Sequence, residues 1–166
     1  MANETTNSNF KRKLYCNKLV FIDGFGRTGK FMLASIVSSL NRVEQLQMSW
    51  MLEYIPVLYH MDEITLDAAV SLLHTEIENN LYCTMIGRNV NFRVSDVTGI
   101  WNAKAPKIYL ERLLTEEGDI VYDKIASINP ILLFLTHDVL CHGDIHVLRI
   151  YARKYSFYGK GVFGFR

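Results

Sequence analysis

The sequence predicts an α/β fold: a three-layer, P-loop-type open parallel sheet with flanking helices. Three observations predict it. An apolar run, Leu19-Val20-Phe21-Ile22, empties into a glycine-rich turn and then a helix-competent segment. A second continuous apolar run, Ile131-Leu132-Leu133-Phe134-Leu135, follows the break at Asn129-Pro130, as a strand buried on both faces would. Segments of helical periodicity lie between the two. Strands separated by helices imply an open parallel sheet with ligands at the carboxyl ends of its strands.

In order along the chain, residues 1–16 are polar and then basic without periodicity and read as a flexible tail, leaving 17–166 as one domain. A strand from Lys18 leads through the glycine loop to a helix over about residues 30–40, with Met32, Ile36, Val37 and Leu40 as its core stripe. A second helix is expected over about 46–60, bent or ended by Pro56. Thr65 is a plausible N-cap for a third, whose Leu66, Val70, Leu73, Ile77 and Leu81 share one face. Residues 84–103 mix Gly, Asn, Asp and Arg and read as a long functional loop or short irregular strands. Pro106 opens a helix expected to stop near Gly118. Beyond the second strand, a helix over about 144–155 and a strand over 161–165 complete the pattern.

Length and composition bound the function. The chain has 166 residues, enough for one domain with a real core, and 49% apolar and 21% charged residues mark a folding chain. A net charge of +1 excludes a strong global attraction to nucleic acid or anionic membrane, so an anionic ligand must be held by local geometry. Cys16, Cys83 and Cys141 are odd in number and widely spaced, which indicates reduced thiols and neither a disulfide framework nor a zinc ribbon. The apolar run after the basic segment is too short for a signal peptide or a membrane span, and the expected location is cytoplasmic.

The glycine loop carries the strongest chemical signal. Gly24, Gly26 and Gly29 allow backbone N–H groups to converge on a phosphate, the following helix adds its amino-terminal amides, and Arg27 and Lys30 supply cations. The spacing Gly24-x-x-x-x-Gly29-Lys30 matches the P-loop pattern, with Phe31 where a magnesium-binding Ser or Thr would stand. A phenyl ring cannot ligate a hard cation, so no metal is expected. His137, after the second strand in Thr136-His137-Asp138, shares the edge of the glycine loop and suits a general base, or else caps the next element. Arg88 and Arg93 flank two asparagines, a set suited to sugar hydroxyls, sulfate or carboxylate, or simply to a solvated loop. Asp96 orients an arginine or caps a turn. His142 and His146 lack the intervening glutamate of a zinc protease and read as a solvated face. Trp50 and Trp101 are chiefly core residues that could also stack on a base or sugar.

These stretches resemble the P-loop sulfotransferases that use 3′-phosphoadenylyl sulfate. The loop Asp23-Gly24-Phe25-Gly26-Arg27-Thr28-Gly29-Lys30, with Phe31, is similar to the family's 5′-phosphosulfate loop. Leu135-Thr136-His137 is similar to the strand end that carries the catalytic base. Phe163-Gly164-Phe165-Arg166 is placed like the strand end whose arginine grips the 3′-phosphate. The resemblance implies transfer of a sulfuryl group from 3′-phosphoadenylyl sulfate to a hydroxyl of a carbohydrate or small alcohol. It implies Lys30 and His137 as catalytic residues and donor binding by residues 24–31 and Arg166; Arg88 and Arg93, whose chemistry suits sugar hydroxyls, are then the expected acceptor contacts. It covers residues 18–166, about the amino-terminal half of a typical member, so that a 3′-phosphate site resting on Arg166 alone would bind the donor weakly. The rival readings are a magnesium-dependent kinase or NTPase, with Thr28 or a distal Asp on the metal, and a non-catalytic nucleotide-binding module.

Overall fold

A computed structural model describes residues 14–137 and Val139. The expected helix at 144–155 and strand at 161–165, with Asp138, Cys141, His142, His146 and Arg166, lie outside the described residues, as does the tail up to residue 13. Within them the protein is a mixed α/β structure. Its elements are β1 (Leu19–Ile22), α1 (Lys30–Ser38), α2 (Met51–His60), α3 (Leu66–Met85), a 3₁₀ turn (Ile100–Asn102), α4 (Pro106–Arg112), α5 (Asp119–Ile128) and β2 (Leu132–Leu135).

β1 and β2 pair in parallel, Leu19 opposite Leu132 and Ile22 opposite Leu135. On the other side of β2 the extended segment 43–47 runs parallel as well. Val43 pairs with Ile131 and Gln47 with Phe134, and the N–H groups of Glu44 and Gln47 donate to Ile131 and Leu133 carbonyls at 2.9 Å. β2 is thus central. Its side chains alternate between two apolar clusters, as strand geometry requires. Leu132 and Phe134 join Leu52, Ile55, Leu73, Ile77, Leu81 and Ile125 on one face, while Leu133 and Leu135 meet Ile22, Ala34 and Leu46 on the other. Helices therefore cover both faces of the sheet.

The expected second helix begins at Met51, not near Leu46, because residues 43–47 are drawn into hydrogen bonds with β2. Pro56 lies inside α2 and is buried with Leu52 and Ile55. α3 matches its expected stripe: Thr65 Oγ1 accepts the Ala68 N–H at 3.3 Å, and Leu73, Ile77 and Leu81 are buried. The stripe expected on α1 is corrected. That helix buries Lys30, Ala34 and Ser38, one residue in four, whereas Met32 is 71% exposed and Ile36 and Leu40 are also exposed. Its small face is the one that approaches the sheet closely, next to Leu133 and Leu135. Gly118 does not end the helix opened by Pro106, which closes at Arg112; it precedes α5, which then stops at Asn129 in the left-handed conformation.

A buried polar network fastens the 43–47 segment to α4. Arg112 donates to both oxygens of Glu44, Nη1 at 2.7 Å and Nη2 at 3.0 Å, and Tyr109 Oη donates to Glu44 Oε2 at 2.8 Å. Tyr109 Oη also accepts the Gln45 N–H at 2.7 Å. Burial pulls the Arg112 guanidinium down, but its bonds and charge contact with Glu44 outweigh that and hold it above its ordinary value. At the amino end, the N–H groups of Tyr15 and Cys16 donate to the Glu78 carboxylate on α3.

Candidate functional site at the carboxyl edge of the sheet

β1 delivers the chain to Asp23, whose Oδ1 accepts the Thr136 hydroxyl at 2.8 Å and the Val139 N–H at 3.2 Å. The ends of both strands are thereby stapled together. The loop then turns through Gly24 (φ +149°) and Gly29 (φ +80°), conformations that a Cβ would strain. Arg27 is itself left-handed at φ 63° and exposed. Thr28 Oγ1 donates to the Phe25 carbonyl at 2.8 Å and closes the turn. Gly29 caps α1 without a side-chain bond, and no acidic residue occupies the first turn, so no carboxylate competes for its amides.

Lys30 is 5% exposed. Its ammonium donates to the Gly24 carbonyl and, at 3.1 Å, to the Thr136 carbonyl, bridging the loop to the end of β2. His137 follows. Its backbone N–H donates to Glu53 Oε1 at 2.8 Å, and its Nδ1 lies 3.1 Å from the same oxygen. The Phe31 ring, 6.5 Å from the imidazole between centroids, connects the first turn of α1 to His137. Residues 24–31 and His137 are therefore gathered at one sheet edge.

The two arginines are placed separately. Arg93 joins Phe31, Ser95, Asp96 and Val97 around an open cavity of about 380 Å³ next to the loop. Arg88 forms an exposed ion pair with Glu117. Asp96 caps a turn: its Oδ1 accepts the Thr98 N–H and hydroxyl, each at 2.9 Å, and these bonds hold its carboxyl below the ordinary value. Trp50 and Trp101 are exposed, not core residues. Glu53 was not legible as a site residue, since a lone glutamate 84 positions before His137 carries no spacing signal. A second cavity of about 350 Å³, between residues 45–50, α3, the irregular segment and Tyr109 of α4, was also not legible, because its residues come from four separated stretches.

No helix among the described residues is long and apolar enough to cross a membrane. No family model matches the chain, and no curated protein or solved structure matches it either.

Proposed function

We propose that the chain is a P-loop sulfuryl-transfer enzyme built on a three-layer α/β/α sheet, moving a sulfuryl group from 3′-phosphoadenylyl sulfate to a hydroxyl of a carbohydrate or small alcohol. One observation carries the reading: a glycine loop between a central-sheet strand and an uncapped helix, its lysine buried beneath it, shares an edge with a histidine held by a carboxylate. The helices on both sheet faces support the layer count.

The chemistry follows from the side chains. With Nδ1–H directed at Glu53, Nε2 is left as the basic nitrogen, oriented as a base should be by a third group. His137 takes the acceptor's hydroxyl proton as the acceptor oxygen bonds to sulfur. The bond from sulfur to the bridging phosphate oxygen breaks, and the electron pair leaves on the 5′-phosphate. Lys30, Arg27 and the loop amides stabilise that developing charge. Phe31 stands where a metal-binding hydroxyl would, which favours cationic over magnesium stabilisation of the leaving phosphate. The reduced thiols Cys16 and Cys83 suit a cytoplasmic setting.

Calorimetric titration with adenosine 3′,5′-bisphosphate against ATP plus Mg²⁺ tests the proposal. Binding of the bisphosphate independent of magnesium supports it. Binding of ATP only with Mg²⁺ would point to a kinase or NTPase, and binding of neither would leave a non-catalytic module.

A further inference from the structure

The 350 Å³ cavity is lined by carboxamides. Gln45 and Gln47 come from the strand-like segment, Asn80 from α3, and Asn89 and Asn91 from the irregular segment, with Trp50 at the rim. Its volume is at the low end of ligand pockets, which run from about 300 to 1,000 Å³, and suits one ring better than a chain. Among the described residues the only charged member of the lining is Asp96, which already accepts two bonds from Thr98 and feels Arg93 from the neighbouring cavity. The lining itself therefore offers an anionic ligand no cation.

The amide nitrogens are already engaged: Gln45 Nε2 donates to the Val97 and Gly99 carbonyls at 3.2 and 3.0 Å, Asn91 Nδ2 to Thr98 Oγ1 at 2.8 Å, and Gln47 Nε2 to Thr84 Oγ1. Asn91 Oδ1 accepts the Arg93 N–H at 3.0 Å. Gln45 Oε1 and Gln47 Oε1, by contrast, are buried with no hydrogen-bond partner among the described residues. A buried carboxamide oxygen without a donor is destabilising, so such oxygens call for a ligand bearing hydroxyl hydrogens. Trp50 is 63% exposed, with its ring stacked on Tyr54, and offers an apolar plane to the C–H face of a sugar.

The cavity also lies beside the transfer edge. Gln47 pairs with Phe134, three residues before His137, and Trp50 accepts the N–H of Glu53, the residue that holds His137. Asp96 lines both this cavity and the one containing Phe31. We propose that this cavity binds an uncharged monosaccharide ring, whose hydroxyls donate to Gln45 and Gln47 and whose apolar face rests on Trp50, so that one further hydroxyl reaches the His137 edge. The assignment of that hydroxyl as acceptor rests on the sulfuryl-transfer reading; the binding itself does not.

Saturation-transfer NMR on the full chain, without donor, tests it with methyl glucoside and N-acetylglucosamine as uncharged probes and glucuronate as the anionic control. The expected result is saturable transfer to an uncharged probe, weaker for glucuronate, with affinity reduced tenfold or more in both W50A and Q47L. Trp50 is exposed, so W50A keeps the test valid should Q47L fail to fold. No saturable transfer to either uncharged probe, glucuronate binding as tightly, or W50A binding like the parent overturns the proposal. Sugar binding without bisphosphate binding would uphold this pocket and overturn the transfer reaction; bisphosphate binding without sugar binding would do the reverse.

Discussion

Glu53 Oε1 holds His137 twice, accepting its backbone N–H at 2.8 Å and facing its ring Nδ1 at 3.1 Å. One carboxylate oxygen therefore fixes both where the residue sits and which way its imidazole turns. The pair spans two elements, the first turn of α2 and the end of β2.

Replacing His137 by Ala should lower turnover by about 10²–10⁴ with bisphosphate affinity nearly unchanged, since a base acts on the acceptor. Glu53→Gln should fall between parent and H137A, because the amide can retain the backbone bond but not the charge. Comparing kcat with calorimetric affinity in the three proteins checks this; equal kcat in all of them would return His137 to a capping role.

Lys30→Ala should weaken binding of adenosine 3′,5′-bisphosphate by about 1.5–3 kcal/mol, the range for a lost charge-assisted hydrogen bond. It should also loosen the loop, because the Gly24 and Thr136 carbonyls lose a shared donor. Calorimetry reads the first effect and amide exchange at residues 24–30 the second.

Breaking the buried pair is expected to be more costly than anything at the surface. Arg112→Ala leaves Glu44 charged and uncompensated and should destabilise the fold by about 3–5 kcal/mol, whereas Arg88→Ala, at an exposed pair, should change it by about 1 kcal/mol or less. Urea midpoints of the two variants decide the order.

Cys16 gives the fold an alkaline dependence. Burial pushes its thiol up to about 12 from 9.0, and the nearby Glu78 adds to the effect. The folded chain keeps this proton where the unfolded chain sheds it, so the contribution is whole below pH 9 and is lost as pH rises toward 12. At about pH 10.5 the loss amounts to about 2 kcal/mol. Cys16→Ala should flatten that part of the stability profile relative to the parent, as measured by denaturant unfolding across the range.

Local signals carried much of this architecture. Thr65, the stripe Leu73-Ile77-Leu81, Pro106 and the break before Ile131 mark their elements by capping, periodicity and backbone chemistry, which need no knowledge of the rest of the chain. Tertiary pairing overrode them at Val43–Gln47, where hydrogen bonds to β2 convert the approach to a helix into an extended run. The apolar stripe misled on α1, since periodicity states that a helix has an apolar face but not that this face meets the sheet; Ala34 and Ser38 meet it because they are small. Within the site, the loop residues are contiguous and hence legible. Glu53, Gln47 and Trp50 are brought to His137 only by the return of the chain along β2.

Pro56 gives α2 a mechanical character of its own. Lacking an N–H, it cannot donate to the Leu52 carbonyl, so the helix is one rung short where its first turn, bearing Glu53, meets the buried segment of Ile55 and Pro56. The amino-terminal turn is therefore held less by its own backbone than by its side chains: Leu52 is sunk in the same core as Ile55 and Phe134, and Glu53 is tied to His137. Those two anchors, one apolar and one polar, take over the rung that the proline omits, and they couple the direction of the carboxylate to the packing of the core.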